Sequence, residues 1–156
     1  MSPVVLITGA SRGIGAATAW QAARAGYAVA VNYTRNSLAA DEVVRKIRQT
    51  GGTAITVQAD VAHEDQVLAM FEKVDAKLGR LTGLVNNAGV VDQTARVEAM
   101  DWARWRRMFD INVLGTMACA REAVRRMSTK RGGAGGSIVN LSSVAARLGA
   151  PGQYVD

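Results

Sequence analysis

The chain has 156 residues, of which 49% are hydrophobic and 21% charged, a length and composition that suit one globular domain with a sizeable core. No apolar run approaches the roughly 18 residues of a membrane span, and the amino terminus lacks a signal-like pattern, so we expect a cytoplasmic protein with no membrane partner. The net charge of +6 raises the question of nucleic acid, but no recognition motif accompanies it, and we expect no nucleic-acid partner.

The first predicted strand is a short apolar run that leads directly into a glycine-rich turn. Val4–Ile7 is β-branched and bounded by a threonine, which is typical of a strand buried on both faces. Gly9, Gly13 and Gly15 follow in a G-x-x-x-G-x-G spacing, and an alanine-rich helix then runs up to Gly26. Glycines let the backbone approach a ligand closely, and the N–H groups at a helix start attract phosphate. The turn therefore indicates an anion site, with a turn needed only for packing as the alternative.

Strands and helices alternate along the rest of the chain. Apolar runs predict further strands at Tyr27–Tyr33, Thr53–Gln58, Leu81–Val85 and Ser137–Leu141. Amphipathic patterns predict helices at Ser37–Thr50 and Glu64–Leu78, and glycine closes both of them. This alternation predicts an α/β fold, in which right-handed crossovers join the strands of a parallel sheet that is covered by helices on both faces.

A long helical region is predicted between the fourth and fifth strands. It runs from Asp101 to Arg131, with Gly115 as its candidate break point. Cys119 lies within it between alanines and is expected to fill a small space in the core rather than to act as a nucleophile. Much of the positive charge lies on or beside the same region, in Arg104, Arg106, Arg107, Arg121, Arg125, Arg126, Lys130 and Arg131. A solvated or subunit-facing helix surface explains these charges about as well as a phosphate-binding patch does.

Distinctive polar clusters follow the ends of all five predicted strands. They are Thr8–Gly15, Asn32–Arg35, Asp60-Val61, Asn86–Gly89 and Ser142-Ser143. Ligands of parallel sheets bind beyond the carboxyl ends of the strands, and packing alone does not explain why every cluster falls there. The sequence therefore predicts one ligand site along this edge of the sheet.

Together these residues resemble the classical short-chain dehydrogenase/reductase family. The likeness rests on T-G-x-x-x-G-x-G at Thr8–Gly15, Asp60-Val61, N-N-A-G at Asn86–Gly89, Asn112, and the I-V-N-L-S-S segment ending at Ser143. The likeness covers the whole chain, and the A-S-R-G-I-G sequence is similar to that of sugar-dehydrogenase and 3-oxoacyl-reductase-like members. The resemblance implies a Rossmann-like doubly wound parallel sheet with helices on both faces. Residues 1–156 would form one NAD(P)-binding domain that lacks the C-terminal part of the family fold.

The resemblance also implies a role for most of the polar clusters. Three glycines would shape the first turn, and the backbone of Ser11, Arg12, Gly13 and Ile14 would meet the pyrophosphate. Asn87, Ala88 and Gly89 would line the ribose side, whereas Asn86 is expected to tie neighbouring strands together.

Asp60 and Val61 are expected at the adenine. The resemblance implies that Asp60 accepts a hydrogen bond from the adenine amino group and that Val61 lies beside the ring. Taken without the family, Asp60 is equally explained as a charge or cap at the start of the following helix.

The choice of cofactor depends on the end of the second strand, where an acidic residue would bind both ribose hydroxyls and repel a 2′-phosphate. Asn32, Thr34 and Arg35 are found there instead, around Tyr33. Arg12 and Arg35 both carry the guanidinium that suits bidentate contact with phosphate. We therefore expect NADP, with NAD as the second choice.

Two residues match the family's catalytic positions. Ser143 matches the serine that hydrogen-bonds the substrate oxygen, and Asn112 matches the asparagine that holds a relay water. The Tyr-x-x-x-Lys pair that moves the proton is not in the chain, because Tyr27 and Tyr33 are followed four residues later by Val31 and Ser37. Tyr154 lies closer to Ser143 than the family's tyrosine does to its serine, so the catalytic tyrosine is expected just beyond Asp156. We expect the chain to be a truncation that is itself inactive, with a genuine short product as the other interpretation.

These observations predict an NADP-dependent oxidoreductase that transfers hydride between nicotinamide and a small-molecule carbonyl or secondary alcohol. The alternative is a non-catalytic dinucleotide-binding module. No cluster has the spacing of a metal site. The family implies a homodimer or homotetramer, with Trp102, Trp105, Met108, Phe109 or the Met117–Met127 helix facing a partner, although ordinary core packing is the favoured role for most of these side chains.

Overall fold

The structure is a computed structural model that describes residues 2–149. Its main elements, in chain order, are β1 (Val4–Ile7), α1 (Gly13–Arg24), β2 (Ala28–Tyr33), α2 (Ser37–Gln49), β3 (Ala54–Gln58), α3 (Glu64–Leu78), β4 (Leu81–Asn86), α4 (Trp102–Phe109), a π-helical segment (Asp110–Gly115), α5 (Thr116–Met127), β5 (Ser137–Asn140) and α6 (Ala145–Leu148). Short 3-10 turns lie at Val97–Ala99 and Thr129–Arg131.

The five strands form one parallel sheet in the order β3-β2-β1-β4-β5. The chain moves outward from β1 through β2 to β3, and then crosses to the other side of β1 for β4 and β5. This confirms the predicted α/β fold with a doubly wound parallel sheet. The strand order reverses between β1 and β4, so a ligand crevice is expected outside the carboxyl ends of these strands.

Each face of the sheet packs against its own pair of helices. Val5 and Ile7 of β1 point into the core formed with α1 and α2, whereas Val4 and Leu6 point into the core formed with α3 and α5. All four side chains are at most 5% exposed, as expected for a strand that is covered on both faces. The sheet is therefore covered by helices on both faces, as predicted.

The long helical region does not break at Gly115. Instead α4 continues without interruption through the π-helical segment into α5, and only the hydrogen-bonding pattern changes. Gly115 is needed for close packing, because a Cβ at this position would lie 2.8 Å from Val61 Cγ2 and 2.9 Å from the Val61 carbonyl oxygen. The predicted break is therefore wrong, and the glycine brings the helix against the turn after β3.

Several arginines of α5 are neutralised within the chain. Glu122 is only 3% exposed and pairs with Arg125 at 2.7 Å and Arg126 at 2.9 Å, and Arg126 also reaches Asp75 of α3 at 2.6 Å. Burial raises the pKa of the Glu122 carboxyl, but hydrogen bonds from Arg126 and Arg121, together with the charges of Arg125 and Arg126, outweigh this effect and hold the pKa below its ordinary value. Part of the basic surface is thus an ion-pair network that joins α3 to α5.

Cys119 is buried as predicted, but some of the apolar side chains of α4 and α5 that were expected in the core are exposed. Cys119 is fully buried, and its burial together with the charge of Glu122 raises the pKa of its thiol to about 12, which confirms an unreactive core position. Trp102, Phe109 and Met117 are 63–69% exposed, so the favoured core-packing role is wrong for them.

In residues 2–149 no helix combines the length and apolar character needed to cross a membrane.

Candidate functional site: a glycine-lined cleft

The glycine turn after β1 is held in a shape that other residues cannot adopt. Gly9 and Gly13 have φ angles of +61° and +55°, where side chains are disfavoured. A Cβ at Gly15 would lie 2.5 Å from Asn87 Nδ2 and 2.6 Å from the Gly9 carbonyl oxygen. α1 begins at Gly13 without a side-chain cap from Arg12, so its first backbone N–H groups keep their capacity to bind an anion.

Hydrogen bonds fasten this turn to the segment after β4. The amide Nδ2 of Asn87 donates to the carbonyl oxygens of Thr8 (2.8 Å) and Gly9 (3.0 Å). In return, Thr8 Oγ1 accepts from the backbone N–H groups of Asn87 (3.0 Å) and Ala88 (2.9 Å). The two polar clusters nearest the crossover of the sheet therefore form one rigid unit, and the Asn87 side chain supports the cleft from beneath.

Asn32 fastens the same turn from the side of β2. It is 1% exposed, its Oδ1 accepts from the Gly9 N–H at 3.0 Å, and its Nδ2 donates to the carbonyl oxygens of Val57 (3.2 Å) and Ala59 (3.1 Å). We expected Asn32 to contact the cofactor directly. The structure instead gives its side chain a positioning role, because its polar atoms are satisfied inside the protein.

A cleft of about 550 Å³ opens above these contacts, within the range of small-molecule and cofactor sites. Twelve of the predicted cofactor-binding residues line it: Gly9, Ser11, Arg12, Gly13, Ile14, Thr34, Arg35, Asp60, Val61, Asn87, Ala88 and Gly89. Gly15 and Asn32 support it from behind. Six lining residues were not predicted as site residues: Tyr33, Asn36, Ala39, Val90, Arg107 and Ile111. The helical spacing of Arg107 and Ile111, which precede Asn112, is the signal that could have indicated the last two.

Asp60 does not cap the helix that follows it. α3 begins at Glu64 after His63, whereas Asp60 Oδ1 accepts from the Ala62 N–H at 3.1 Å and closes a turn. Its backbone N–H donates to Gln66 Oε1 at 2.8 Å. The capping explanation of Asp60 is therefore wrong, and its half-buried carboxylate lines the cleft.

The cleft is positively charged. Arg12, Arg35 and Arg107 are exposed, and none of them forms an ion pair with another residue between 2 and 149, although arginines elsewhere in that range do. Asp60 is the only carboxylate among the described residues that line the cleft. A ligand with several negative charges is favoured there.

The two predicted catalytic residues lie outside this lining. Both polar atoms of the Asn112 side chain engage Val90: Oδ1 accepts from its N–H at 2.8 Å, and Nδ2 donates to its carbonyl oxygen at 2.8 Å. Each atom retains one further hydrogen-bonding position, so contact with a relay water stays a prediction. The structure shows in addition that Asn112 anchors the loop after Gly89 to the π-helical segment.

Ser143 lies three residues beyond the end of β5 and is exposed. Its Oγ accepts from the Ala145 N–H at 3.1 Å. β5 itself is tied to β4 by Asn86, whose Nδ2 donates to Asn140 Oδ1 at 2.9 Å, which confirms the predicted strand-linking role of Asn86.

Tyr154 lies outside the described residues. In the described part of the chain no group of His, Cys, Asp and Glu side chains is placed to hold a metal ion.

Comparison with known proteins agrees with this architecture. The family model described as short chain dehydrogenase matches residues 3–155. The chain is 52% identical over 153 residues to "Uncharacterized oxidoreductase YgfF" of Escherichia coli (strain K12), covering 98% of the chain and 62% of that protein. It is 43% identical to a 3-oxoacyl-[acyl-carrier-protein] reductase of Synechocystis sp., covering 96% and 59%.

Among solved structures, a double mutant of a short-chain dehydrogenase/reductase from Serratia marcescens superposes with a TM-score of 0.87 at 30% identity, covering 96% of this chain and 59% of that one. The chain belongs to the short-chain dehydrogenase/reductase family. It spans about 60% of the length of the two relatives named above.

Proposed function

We propose that the protein is an NADP-dependent oxidoreductase that moves hydride between the nicotinamide and a carbonyl or secondary alcohol. The observation that carries the proposal is the cleft, in which a glycine turn, an uncapped helix start and three arginines converge at the carboxyl ends of the strands. The names of the relatives, an oxidoreductase and a reductase, support the reaction class.

The residues of the cleft fit a dinucleotide. At Gly15 a Cβ would lie 2.6 Å from the Gly9 carbonyl oxygen, so the turn can pack this closely only with glycine. The backbone N–H groups of Gly13 and Ile14, at the start of α1, would meet the pyrophosphate. Asp60 would accept from the adenine amino group, and Asn87, Ala88 and Gly89 would lie along the ribose side. The nicotinamide supplies hydride chemistry when bound, and the protein supplies position and electrostatics.

The end of β2 supports NADP rather than NAD. The residues that line the cleft at the end of β2 are Tyr33, Thr34 and Arg35, and none of them is acidic. The Asn32 side chain is buried, and its oxygen accepts from the Gly9 N–H instead of facing the cleft. The exposed guanidinium groups of Arg12 and Arg35 would bind the 2′-phosphate. The carboxylate that would repel this phosphate in an NAD-binding site is not found at the end of β2.

Ser143 and Asn112 are the proposed catalytic residues of the chain. The Ser143 oxygen already accepts from Ala145, which leaves its hydroxyl proton available to a substrate oxygen that gains negative charge. Asn112 would support the proton relay through its remaining hydrogen-bonding positions. Because the 156 residues contain no Tyr-x-x-x-Lys, we expect them to bind the cofactor without turnover.

The proposed partners are a small-molecule substrate and further copies of the same protein in a homodimer or homotetramer, acting in the cytoplasm. The exposed apolar side chains of α4 and α5, such as Trp102, Phe109 and Met117, support self-association. The loop that begins at Val90 and the segment that begins at Val144 and includes α6 are proposed to face the substrate.

A fluorescence titration with NADPH and NADH tests the cofactor assignment. We expect the protein to bind NADPH more tightly than NADH, and Arg35→Gln to reduce this preference. Tighter binding of NADH, or an unchanged preference in the variant, would contradict the assignment.

A further inference from the structure

Arg107 is the third exposed arginine of the cleft, beside Arg12 and Arg35. It lies on α4 and lines the cleft together with Ile111, one turn further along the same helical region. Arg106, its neighbour, is exposed but does not line the cleft. The orientation of one side of α4 toward the cleft therefore distinguishes Arg107 from Arg106, the other exposed arginine of this helix.

The three arginines of the cleft come from opposite faces of the sheet. Arg12 precedes α1 and Arg35 precedes α2, and these two helices pack on one face. Arg107 belongs to the α4–α5 region, whose residue Ile111 packs in the core of the other face. Arg107 therefore approaches a bound ligand from the side opposite to Arg12 and Arg35.

The wall beside Arg107 is the turn that contains Asp60 and Val61. Ile111 and Val61 belong to the same core cluster, and a Cβ at Gly115 would lie 2.8 Å from Val61 Cγ2. The helical face formed by Arg107, Ile111 and Gly115 consequently runs along this turn. Arg107 lines the cleft at the end of that face, as do Asp60 and Val61, the residues proposed to bind adenine.

A guanidinium group in this place has a specific chemical use. It is planar and stacks on aromatic rings, with an attraction that grows as water is excluded. In the described chain Arg107 is exposed and has no carboxylate partner to hold it elsewhere. A phosphate contact is less suitable because the arginines proposed for the 2′-phosphate, Arg12 and Arg35, lie on the opposite wall.

We propose that Arg107 binds the adenine base of the cofactor, with its guanidinium stacked on the face of the ring opposite Val61. This inference rests on the proposed dinucleotide function. Because adenine is common to NADP and NAD, Arg107 contributes to the affinity for both, whereas the guanidinium groups of Arg12 and Arg35 discriminate between them through the 2′-phosphate.

The test compares Arg107→Gln with the matched control Arg106→Gln. Dissociation constants are measured for NADPH, NADH, 2′,5′-ADP and adenosine, which has the base but no phosphate, and circular dichroism checks that each variant is folded. We expect Arg107→Gln to weaken all four ligands by a similar factor, about 3- to 30-fold. Arg107→Lys should recover only part of the loss, because an ammonium group does not stack as a plane, and Arg106→Gln should resemble the wild type.

Two results would overturn the inference. One is wild-type affinity of folded Arg107→Gln for all four ligands, and the other is a loss that spares adenosine, which would make Arg107 a phosphate ligand. Failure of the wild-type protein to bind any of the four ligands would instead refute the proposed function and the inference with it.

Discussion

Replacing Gly15 by alanine tests whether the glycine turn depends on close packing. The added Cβ would lie 2.5 Å from Asn87 Nδ2, 2.6 Å from the Gly9 carbonyl oxygen and 2.9 Å from Ala10 Cα. Two of these neighbours are backbone atoms, so the strain cannot be relieved by rotating a side chain. Asn87 would also have to leave its acceptors on Thr8 and Gly9, at 2.8 and 3.0 Å.

The expected destabilisation follows from these contacts. Overpacking costs about 1–3 kcal/mol, and two lost hydrogen bonds cost about 1 kcal/mol each. Alanine returns about 1 kcal/mol because α1 contains it within a helix. We therefore expect the free energy of unfolding to fall by about 3 kcal/mol, together with a marked loss of NADPH affinity.

Urea denaturation followed by circular dichroism measures the stability, and fluorescence titration measures the affinity. Gly13→Ala is the control, because a Cβ there meets no atom within 4 Å and only the φ angle of +55° is unfavourable. It should cost about 1–2 kcal/mol. The reasoning is refuted if Gly15→Ala is as stable as the wild type and binds NADPH equally well.

Two further substitutions test the ion-pair network and the loop anchor. Glu122→Gln should lower the free energy of unfolding at pH 7 by about 2 kcal/mol, because hydrogen bonds to a charged group are lost. The folded-state pKa of Glu122 is depressed, so its contribution is present above the ordinary value of 4.5 and disappears as the pH falls below it. The difference from the wild type in urea midpoints should therefore shrink toward pH 3, and a constant difference would contradict this. Asn112→Ala removes both hydrogen bonds to Val90 and should cost about 1 kcal/mol and speed hydrogen exchange of the Val90 amide; unchanged exchange would show that Asn112 does not anchor the loop.

The strand pattern was sufficient to predict the sheet and the position of the site. A run such as Val4–Ile7, apolar at every position, is compatible only with burial on both faces, and parallel strands bring their carboxyl ends to one edge. The polar residues after four of the five strands therefore converge on the cleft, whereas Ser142-Ser143 after β5 lies outside its lining. Twelve of the fourteen predicted cofactor residues line the cleft for this reason.

The exceptions depend on packing that local sequence does not encode. Asn32 has the same polar character as its neighbours, and only the contacts with Gly9, Val57 and Ala59 show that its side chain turns inward. Arg107 reaches the cleft because Gly115 allows the helix to approach Val61, a contact between residues 54 positions apart. Helical periodicity alone does not identify which face of α4 will meet the turn after β3.

The exposure of Trp102 and Phe109 was also not predictable from their type. Aromatic residues are usually buried, but burial requires a neighbouring element, and no described element covers this side of α4. For the same reason only one side of α5 is buried. Cys119 and Ala123 pack on α3 and the sheet, whereas Met117 has no neighbouring element and is exposed.

The proposed function requires the cleft to be a site for a 2′-phosphorylated dinucleotide. Isothermal titration of the protein with NADPH and with NADH, at the same ionic strength, measures this without reference to substrate or turnover. We predict a dissociation constant for NADPH at least about tenfold below that for NADH, corresponding to about 1.4 kcal/mol from the contacts of Arg12 and Arg35 with the 2′-phosphate. Binding of NADH with equal or greater affinity would contradict the cofactor assignment, and binding of neither would contradict the dinucleotide site itself.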